Sequence, residues 1–528
     1  MSDTDLAGVI SRAFPFTRAR EFTTSGTAVL AGLALAKAAL QFAGIVRYGL
    51  FRDELYYLSC GEHLAWGYVD QPPLIAVVAW FARHAFGSSL VSIRLLPVLA
   101  GAAIVFLTGV LARELGGGRF AQFLAAASIL FAPAYLAFDS FLSMNAFEPL
   151  FWLLCAWIAV RIVKGASPRL WVVFGAVAGV GLENKHTMLV FGFALVAGLI
   201  LSGEWQVFRS KWIWIGGAVA FALFLPNLLW EAHHGWPQIE VVRNAQLYKN
   251  LPISPLQFIS DQVIFLNPLA LPVWLAGITW LLFSERGKRF RFLGIAYIAV
   301  MAVFMGGHGK SYYALPIYPM LMAAGGIAVE QFFERRSQLV LRNAIPVLLI
   351  VGGFVETPFG VPMFPVGTFQ RYAQLLPYSR MAKTEKDAVD APLPQLYADM
   401  FGWDAMARGV AGVYHSLPAA EQQNCAIFGG NYGEAGAIDF YGPALGLPKA
   451  ISGHNSYYYW GPRGYSGACV IVFGERSGEY IHYFGDVQVA ATITNPYAMP
   501  VEQSVPVYIC RKPIAPLSVL WPRFKMII

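Results

Sequence analysis

The feature that most constrains this chain is a series of long apolar segments separated by short, charged loops. About 20 apolar residues suffice for an α-helix to cross a bilayer, and the hydropathy pattern predicts about eleven such spans. They lie near residues 25–46, 91–112, 120–137, 146–162, 170–183, 187–202, 212–230, 263–283, 292–306, 313–329 and 343–357. A large soluble core does not explain them, because only 13% of the residues are charged, whereas soluble domains carry about 25%. The sequence therefore predicts an α-helical polytopic membrane protein.

Arginine and lysine concentrate in every second loop between these spans. The basic loops contain Arg113 and Arg119; Arg161, Lys164 and Arg169; Arg209 and Lys211; Arg286, Lys288, Arg289 and Arg291; and Arg335, Arg336 and Arg342. Cytoplasmic loops carry such an excess, so these loops and the N-terminal segment 1–24 are predicted to be cytoplasmic. That segment lacks the apolar core and the cleavage site of a signal peptide. The basic residues form no patch, so no nucleic-acid partner is predicted.

An odd number of spans places the last part of the chain, residues 358–528, on the outer side of the membrane, beyond a transmembrane domain at 25–357. This part begins with a Pro-rich stretch and continues with a segment of helical spacing at 395–416. Short β-rich runs follow at 425–428, 470–473, 487–493 and 505–510, with a helical segment at 434–441. Strands mixed with helices predict a small α/β domain. Its turn at 431–434 follows the first strand, where such domains often hold ligands.

The chain has five cysteines. Cys60 lies in the first outer loop and Cys155 in a span, while Cys425, Cys469 and Cys510 lie in the outer domain. Two of the outer three could pair in an oxidising compartment, and Cys425 with Cys510 is the predicted pair. No Cys/His cluster has metal-site spacing, so no cofactor is predicted to be required and a divalent metal has no support in the sequence.

Two neighbouring acids, Asp53 and Glu54, open the first outer loop. A carboxylate at the mouth of a membrane protein is costly to leave in lipid, which makes it a functional candidate. The apolar spacing over 53–66 and 74–86 predicts two amphipathic helices in the membrane interface. These helices would hold Asp53 near the headgroup plane. The alternative is that both acids only cap the helix and complement its dipole.

Several motifs in chain order resemble those of the family 39 glycosyltransferases. These are membrane enzymes of GT-C type, similar to protein O-mannosyltransferases and to the lipid A aminoarabinose transferase. The resemblance covers roughly residues 25–330. The matching strings are Arg52-Asp53-Glu54-Leu55-Tyr56-Tyr57, Asp70-Gln71-Pro72-Pro73-Leu74, Arg94-Leu95-Leu96-Pro97, Glu183-Asn184-Lys185-His186-Thr187 and Lys310-Ser311-Tyr312-Tyr313-Ala314-Leu315-Pro316-Ile317-Tyr318-Pro319.

The resemblance implies an inverting transferase that moves a monosaccharide from a polyprenyl-phosphate donor. The acceptor would be a hydroxyl of a periplasmic lipid such as lipid A, another envelope glycan, or a protein. It also implies a place in the bacterial inner membrane among membrane lipids, with a periplasmic C-terminal domain. Asp53 matches the catalytic base, Glu54 completes the acidic pair, and Tyr57 matches a tyrosine that contacts the donor. Gln71 departs from the Lys of the aminoarabinose transferase, which argues against that particular substrate.

The phosphate of the donor is expected to meet Lys185 and Lys310. A departing lipid phosphate needs fixed cations, and both lysines fall in short outer loops. The alternative for each lysine is an interaction with headgroups. The same motifs make Asp70, Gln71, Arg94, His186, Tyr312 and Tyr313 candidate substrate-binding residues.

Four further candidates lie outside these motifs: Asp139, Glu148, Arg243 and His308. Many relatives carry an Asp near the position of Asn145, so Asn145 could replace the acid here, or Asp139 or Glu148 could supply it. Glu148 could instead be a protonated group in an interhelical hydrogen bond. The other two have similar alternatives, a lipid headgroup contact for Arg243 and a structural role for His308.

A lipid-linked sugar transporter or flippase is the competing functional class. Such proteins often have inverted repeats and charged positions in mid-membrane. The chain has no internal repeat, and its charges lie at one face. A non-catalytic scaffold is a third alternative.

Overall fold

The computed structural model describes residues 24–334, 338–376 and 385–528. The predicted cytoplasmic segment 1–24 therefore lies outside the described residues, apart from Thr24. The α-helices of eight or more residues are Thr24–Phe42, Arg52–Glu62, Leu74–Phe86, Leu90–Glu114, Arg119–Leu130, Met144–Val163, Leu170–Asn184, Met188–Leu201, Lys211–His233, Pro237–Asn244, Pro255–Phe265, Leu271–Phe283, Arg291–Gly306, Tyr318–Glu334, Leu339–Gly360, Val366–Ala373, Trp403–Ser416 and Tyr432–Tyr441.

The membrane part consists of apolar helices of different lengths. Among the described residues, 6 helices are long and apolar enough to cross a bilayer alone, and a bent pair would make a seventh span. The predicted spans near 25–46, 120–137, 170–183 and 187–202 correspond to shorter apolar helices. The chain is thus a multi-pass membrane protein, and the number of eleven spans stays a prediction.

The bent pair overlaps the span predicted near 263–283. The helix Pro255–Phe265 meets the segment Pro268–Phe283 at 95°. Pro268 has no backbone N–H to continue a helix, and Asn267 before it has a positive φ of 67°. The Asn267 side chain accepts a hydrogen bond from the backbone N–H of Leu269 and donates another to the carbonyl of Leu349. Local Asn-Pro chemistry therefore produces the break.

The C-terminal part, which we call the outer domain after its predicted side of the membrane, contains a four-stranded sheet formed by β1 (Cys425–Gly429), β2 (Cys469–Phe473), β3 (Phe484–Thr494) and β4 (Ser504–Pro513). The strand order is β1-β2-β4-β3, in which β1 and β2 are parallel and the other pairs antiparallel. All four predicted β-rich runs form strands. The segment predicted as one helix at 395–416 is divided at Gly402, whose φ of 99° suits glycine.

The predicted disulfide between Cys425 and Cys510 is wrong, because Cys425 pairs with Cys469. These two cysteines lie directly opposite each other on the parallel strands β1 and β2, with Cα atoms 4.5 Å apart. Cys510 instead lies on β4 opposite Val470 and is a free, buried thiol. The pairing follows from the strand order, which the spacing of three cysteines does not encode.

The sheet domain shares a hydrophobic core with the first outer loop. Leu55 and Tyr56 of the helix Arg52–Glu62 belong to the same buried cluster as Trp403 and Ile438 of the outer domain. A Cβ added to Gly436 would lie 3.0 Å from the carbonyl carbon of Leu55, so the two helices touch at this glycine. The outer domain therefore packs against most of the length of the first-loop helix. The predicted domain boundary at 357 and 358 stays a prediction, and the helix Leu339–Gly360 runs through it.

Candidate active site

A cavity of about 350 Å³ is lined by residues of both the membrane part and the outer domain. Eleven of its polar lining residues, which we call the polar wall, are Arg52, Asp53, Tyr57, Asp70, Asn145, Lys249, Lys310, Tyr312, Tyr313, Glu385 and Tyr432. Nine of its apolar lining residues, which we call the apolar wall, are Pro133, Ala134, Ala137, Phe138, Phe141, Ile264, Phe265, Phe359 and Leu396. Such a cavity suits an amphiphilic molecule with a charged head and a hydrocarbon tail.

Six of the residues predicted from the sequence line this cavity together: Asp53, Tyr57, Asp70, Lys310, Tyr312 and Tyr313. Lys185 lies directly behind the wall, with its Nζ 4.7 Å from the ring centroid of Tyr313 and 2.8 Å from Oδ1 of Asn145. Asp53 and Lys310 thus line one cavity, and Lys185 contacts residues that line it.

Asp53 receives a hydrogen bond from the outer domain. The hydroxyl of Tyr432 donates to Oδ1 of Asp53 at 2.8 Å. Tyr432 stacks on Tyr56 at a centroid distance of 4.6 Å and also lies 4.6 Å from the ring of His454. Burial and the neighbouring Asp53 carboxylate raise the pKa of Tyr432 well above its usual value. The phenol therefore keeps its proton and remains a donor.

Three cations surround one carboxylate on the polar wall, and we call Arg52, Lys249 and Lys310 the cation cluster. Glu385 Oε1 lies 3.0 Å from Lys310 Nζ and 3.6 Å from Lys249 Nζ. Glu385 Oε2 lies 3.1 Å from Arg52 Nη2. Burial alone would raise the pKa of Glu385, but the three cations hold it well below its usual value. The cation cluster thus binds one anionic group, the carboxylate of Glu385.

Glu54 does not line the cavity, because its carboxylate is engaged in a buried ion pair with Arg94. Its Oε1 accepts from Arg94 Nε at 3.0 Å, and its Oε2 lies 2.6 Å from Arg94 Nη2. Glu54 also accepts the backbone N–H groups of Phe51 and Leu142, both at 2.8 Å. Arg94 in turn donates to the carbonyls of Ile45 and Gly49. This network fixes the start of the helix that carries Asp53.

Asp70 faces the cavity but is tied to the outer domain. Its Oδ1 accepts the hydroxyl of Tyr56 at 2.8 Å, and its Oδ2 accepts Nδ2 of Asn455 at 3.2 Å. Burial raises the pKa of Asp70 to about 6. Gln71 is fully buried beside Cys60, with Nε2 3.6 Å from the sulfur, and does not line the cavity.

The remaining predicted residues, apart from Asn145, lie outside the cavity lining. Asp139 forms a buried ion pair with Lys37 at 2.8 Å, and Glu148 forms one with Lys185 at 2.8 Å. His186 Nε2 lies 3.0 Å from the side-chain oxygen of Asn227. Arg243 and His308 are not among the lining residues. Of the three candidates for the acid near position 145, only Asn145 itself reaches the cavity.

Sequence reasoning missed four residues of the polar wall: Arg52, Lys249, Glu385 and Tyr432. Arg52 directly precedes Asp53 in the first-loop motif, and Tyr432 lies in the strand-to-helix turn noted above. Lys249 lies in a long outer loop without a motif, and nothing near Glu385 marks it. Within the described ranges, no group of three or more His, Cys, Asp or Glu side chains is arranged to hold a metal ion.

Comparisons with known proteins agree with this architecture. Residues 70–230 match the family model described as dolichyl-phosphate-mannose-protein mannosyltransferase. ArnT from Cupriavidus metallidurans bound to undecaprenyl phosphate superposes with a TM-score of 0.61 at 14% identity, over 90% of this chain and 97% of that one. Its apo state gives a TM-score of 0.60 at 14% identity, over 93% of this chain and 98% of that one. The chain has the GT-C fold.

The resemblance predicted from the motifs is confirmed for the fold, and the family match indicates a glycosyltransferase. A more distant structure, the apo oligosaccharyltransferase of Archaeoglobus fulgidus, gives a TM-score of 0.49 at 12% identity, over 80% of this chain and 64% of that one. No curated protein matches the sequence significantly.

Proposed function

We propose that this protein is an inverting glycosyltransferase that moves a monosaccharide from a polyprenyl-phosphate donor to a hydroxyl of an envelope acceptor. The observation that carries the proposal is that Asp53, the cation cluster and many apolar side chains line one cavity. A base, an anion site and a lipid surface are the three elements that such a transfer needs. The ArnT structure with undecaprenyl phosphate supports a donor of this kind.

The donor would lie with its phosphate toward Lys310 and its isoprenoid chain along the apolar wall. A sugar phosphodiester carries one negative charge, and the lipid phosphate that leaves carries up to two. Fixed cations therefore interact more strongly with the leaving group than with the bound donor, and this difference lowers the barrier. Lys185 would support the same region through its contacts with Asn145, Tyr312 and Tyr313.

Asp53 would act as the general base. The acceptor oxygen attacks the anomeric carbon, the bond between that carbon and the phosphate oxygen breaks, and the hydroxyl proton passes to the Asp53 carboxylate. A positioned base contributes about 10²–10⁴ in rate. Attack from the face opposite the phosphate inverts the anomeric configuration. The orientation expected from the basic loops places this reaction at the periplasmic face of a bacterial inner membrane.

The acceptor remains one of three classes: a lipid such as lipid A, another envelope glycan, or a protein. Mass analysis of envelope lipids, glycans and proteins from intact and deletion strains identifies the class, because the missing sugar appears as a fixed mass difference on one of them.

Purified full-length protein in detergent, given undecaprenyl-phosphate monosaccharides and an envelope extract, tests the reaction itself. The proposal predicts release of undecaprenyl phosphate that depends on the extract. In liposomes, movement of intact lipid-linked sugar without cleavage would instead support the flippase alternative and contradict the transferase.

A further inference from the structure

Glu385 contacts every member of the cation cluster. Its two carboxylate oxygens lie 3.0–3.6 Å from Lys310, Lys249 and Arg52. The side chain is 8% exposed and lines the same cavity as Asp53. An isolated β-bridge between Glu385 and Asn250 fixes its backbone beside the loop that carries Lys249.

This arrangement has the character of an occupied anion site. One carboxylate carries a single negative charge, whereas the three cations together carry three. Asp53 and Asp399 offset the two remaining positive charges only in part. Burial raises the pKa of Asp399 to about 7, so this carboxyl is only partly ionised near neutral pH. A phosphate group, with more oxygens and up to two charges, matches three cations better than a carboxylate does.

We propose that Glu385 occupies the position of the donor phosphate, so that its carboxylate and the lipid phosphate compete for the cation cluster. This inference rests on the proposed function, since that function brings a lipid phosphate to the same wall. Donor binding would displace the Glu385 side chain, while its backbone remains bridged to Asn250.

Such competition has a physical effect on both sides of the reaction. Before binding, the carboxylate offsets the mutual repulsion of the three cations, which stabilises the empty site and reduces the net gain from binding a phosphate. After transfer, the product lipid phosphate carries more charge than the donor and would bind three cations tightly. The returning Glu385 carboxylate weakens that binding and favours release of the product.

The contrasting role is a permanent anchor, in which Glu385 ties its segment to the membrane part and never leaves the cations. The two roles predict opposite changes in phosphate affinity when the Glu385 carboxylate is replaced by a neutral side chain. If Glu385 is an anchor, its loss displaces the cations and weakens phosphate binding. If its carboxylate competes with the phosphate, its loss strengthens phosphate binding.

The experiment measures binding of undecaprenyl phosphate to purified full-length protein in detergent by titration. Glu385→Gln is expected to bind about tenfold more tightly than wild type and to show stronger inhibition by undecaprenyl phosphate in the transfer assay. Affinity for undecaprenol, which lacks the phosphate, should not change. The matched control is Glu421→Gln, which removes a carboxylate bound to Arg511 elsewhere in the outer domain and should leave both affinities unchanged.

If gel filtration and thermal unfolding show that Glu385→Gln does not fold, Glu385→Asp is the second variant. It keeps the negative charge but has a shorter side chain, and its affinity for undecaprenyl phosphate is expected to rise severalfold. Equal or weaker binding by the folded variant, with wild-type binding intact, overturns the role of Glu385 alone. No binding of undecaprenyl phosphate by either protein overturns the proposed function as well. An equal gain in the affinity of the variant for undecaprenol would contradict competition between Glu385 and the phosphate, because undecaprenol has no phosphate.

Discussion

The hydroxyl of Tyr432 donates a 2.8 Å hydrogen bond to the carboxylate of Asp53, across 379 positions in the chain. Asp53 lies in the first turn of the helix Arg52–Glu62, and Tyr432 begins a helix of the outer domain. The candidate base is therefore positioned by two distant parts of the chain. This relationship gives the outer domain a direct part in the proposed reaction.

Replacing Tyr432 by Phe removes this donor and keeps the stacked ring. Hydrogen bonds to charged groups contribute about 1.5–3 kcal/mol, so we expect kcat to fall about tenfold or more while the donor KM changes little. Steady-state kinetics checks this. The matched control is Tyr457→Phe, which loses bonds to Ser59 and Asp439 at the same interface but does not touch Asp53. An equal loss in both variants would indicate a general effect on the interface.

Glu54 is expected to stabilise the fold through Arg94. Glu54→Ala leaves the buried guanidinium without a carboxylate, and breaking a buried pair in this way costs about 3–5 kcal/mol. We expect a marked drop in the thermal unfolding temperature in detergent, with Asp53→Asn unfolding close to wild type. A Glu54→Ala protein that is as stable as wild type but inactive would return Glu54 to a chemical role.

The buried carboxyl of Asp399 makes the stability of the fold depend on pH in a direction that can be predicted. Burial raises the pKa of Asp399 from 3.8 to about 7. Between about pH 4 and pH 7 the unfolded chain has lost this proton and the folded chain still holds it, so stability falls as the pH rises through this window. Asp399→Asn removes that contribution. Its unfolding temperature should decline less than that of wild type between pH 5 and 7.

Asp404→Asn is the control for Asp399, because Asp404 is half exposed and paired with Arg408 on the surface. It should follow the wild-type pH curve. The Asp399 assignment fails if the Asp399→Asn curve also coincides with that of wild type.

The disulfide of the outer domain can be tested by single substitutions. Loss of a disulfide that closes a loop of 44 residues is expected to lower the free energy of unfolding by about 4 kcal/mol. We therefore expect Cys425→Ser and Cys469→Ser to unfold at clearly lower temperature under non-reducing conditions. Cys510→Ser should resemble wild type. Destabilisation by Cys510→Ser but not by Cys469→Ser, or a disulfide-linked peptide pair containing Cys425 and Cys510, would instead support the pairing predicted from the sequence.

The sequence predicted those parts of the site that depend on local patterns. Asp53 and Lys310 stand in recognisable motifs, and the alternation of loops places both on the same side of the membrane. The four strands follow from short apolar runs. These features need only neighbouring residues and one topological rule.

The missed features depend on contacts between remote segments. Arg52 meets Glu385 across 333 positions, and no local spacing foretells which loop of the outer domain reaches the cavity. Strand order decided the disulfide in the same way. The break at Asn267 and Pro268 is different, because an Asn-Pro pair inside an apolar segment is a visible signal that hydropathy alone ignores.

Asp53→Asn tests the account most directly. The measurement is release of undecaprenyl phosphate in a single turnover, with donor binding measured on the same preparation. The account predicts unchanged donor affinity and a transfer rate at least about 100-fold lower, because the base is lost while the cation cluster remains. Transfer at the wild-type rate by the Asp53→Asn protein would contradict it.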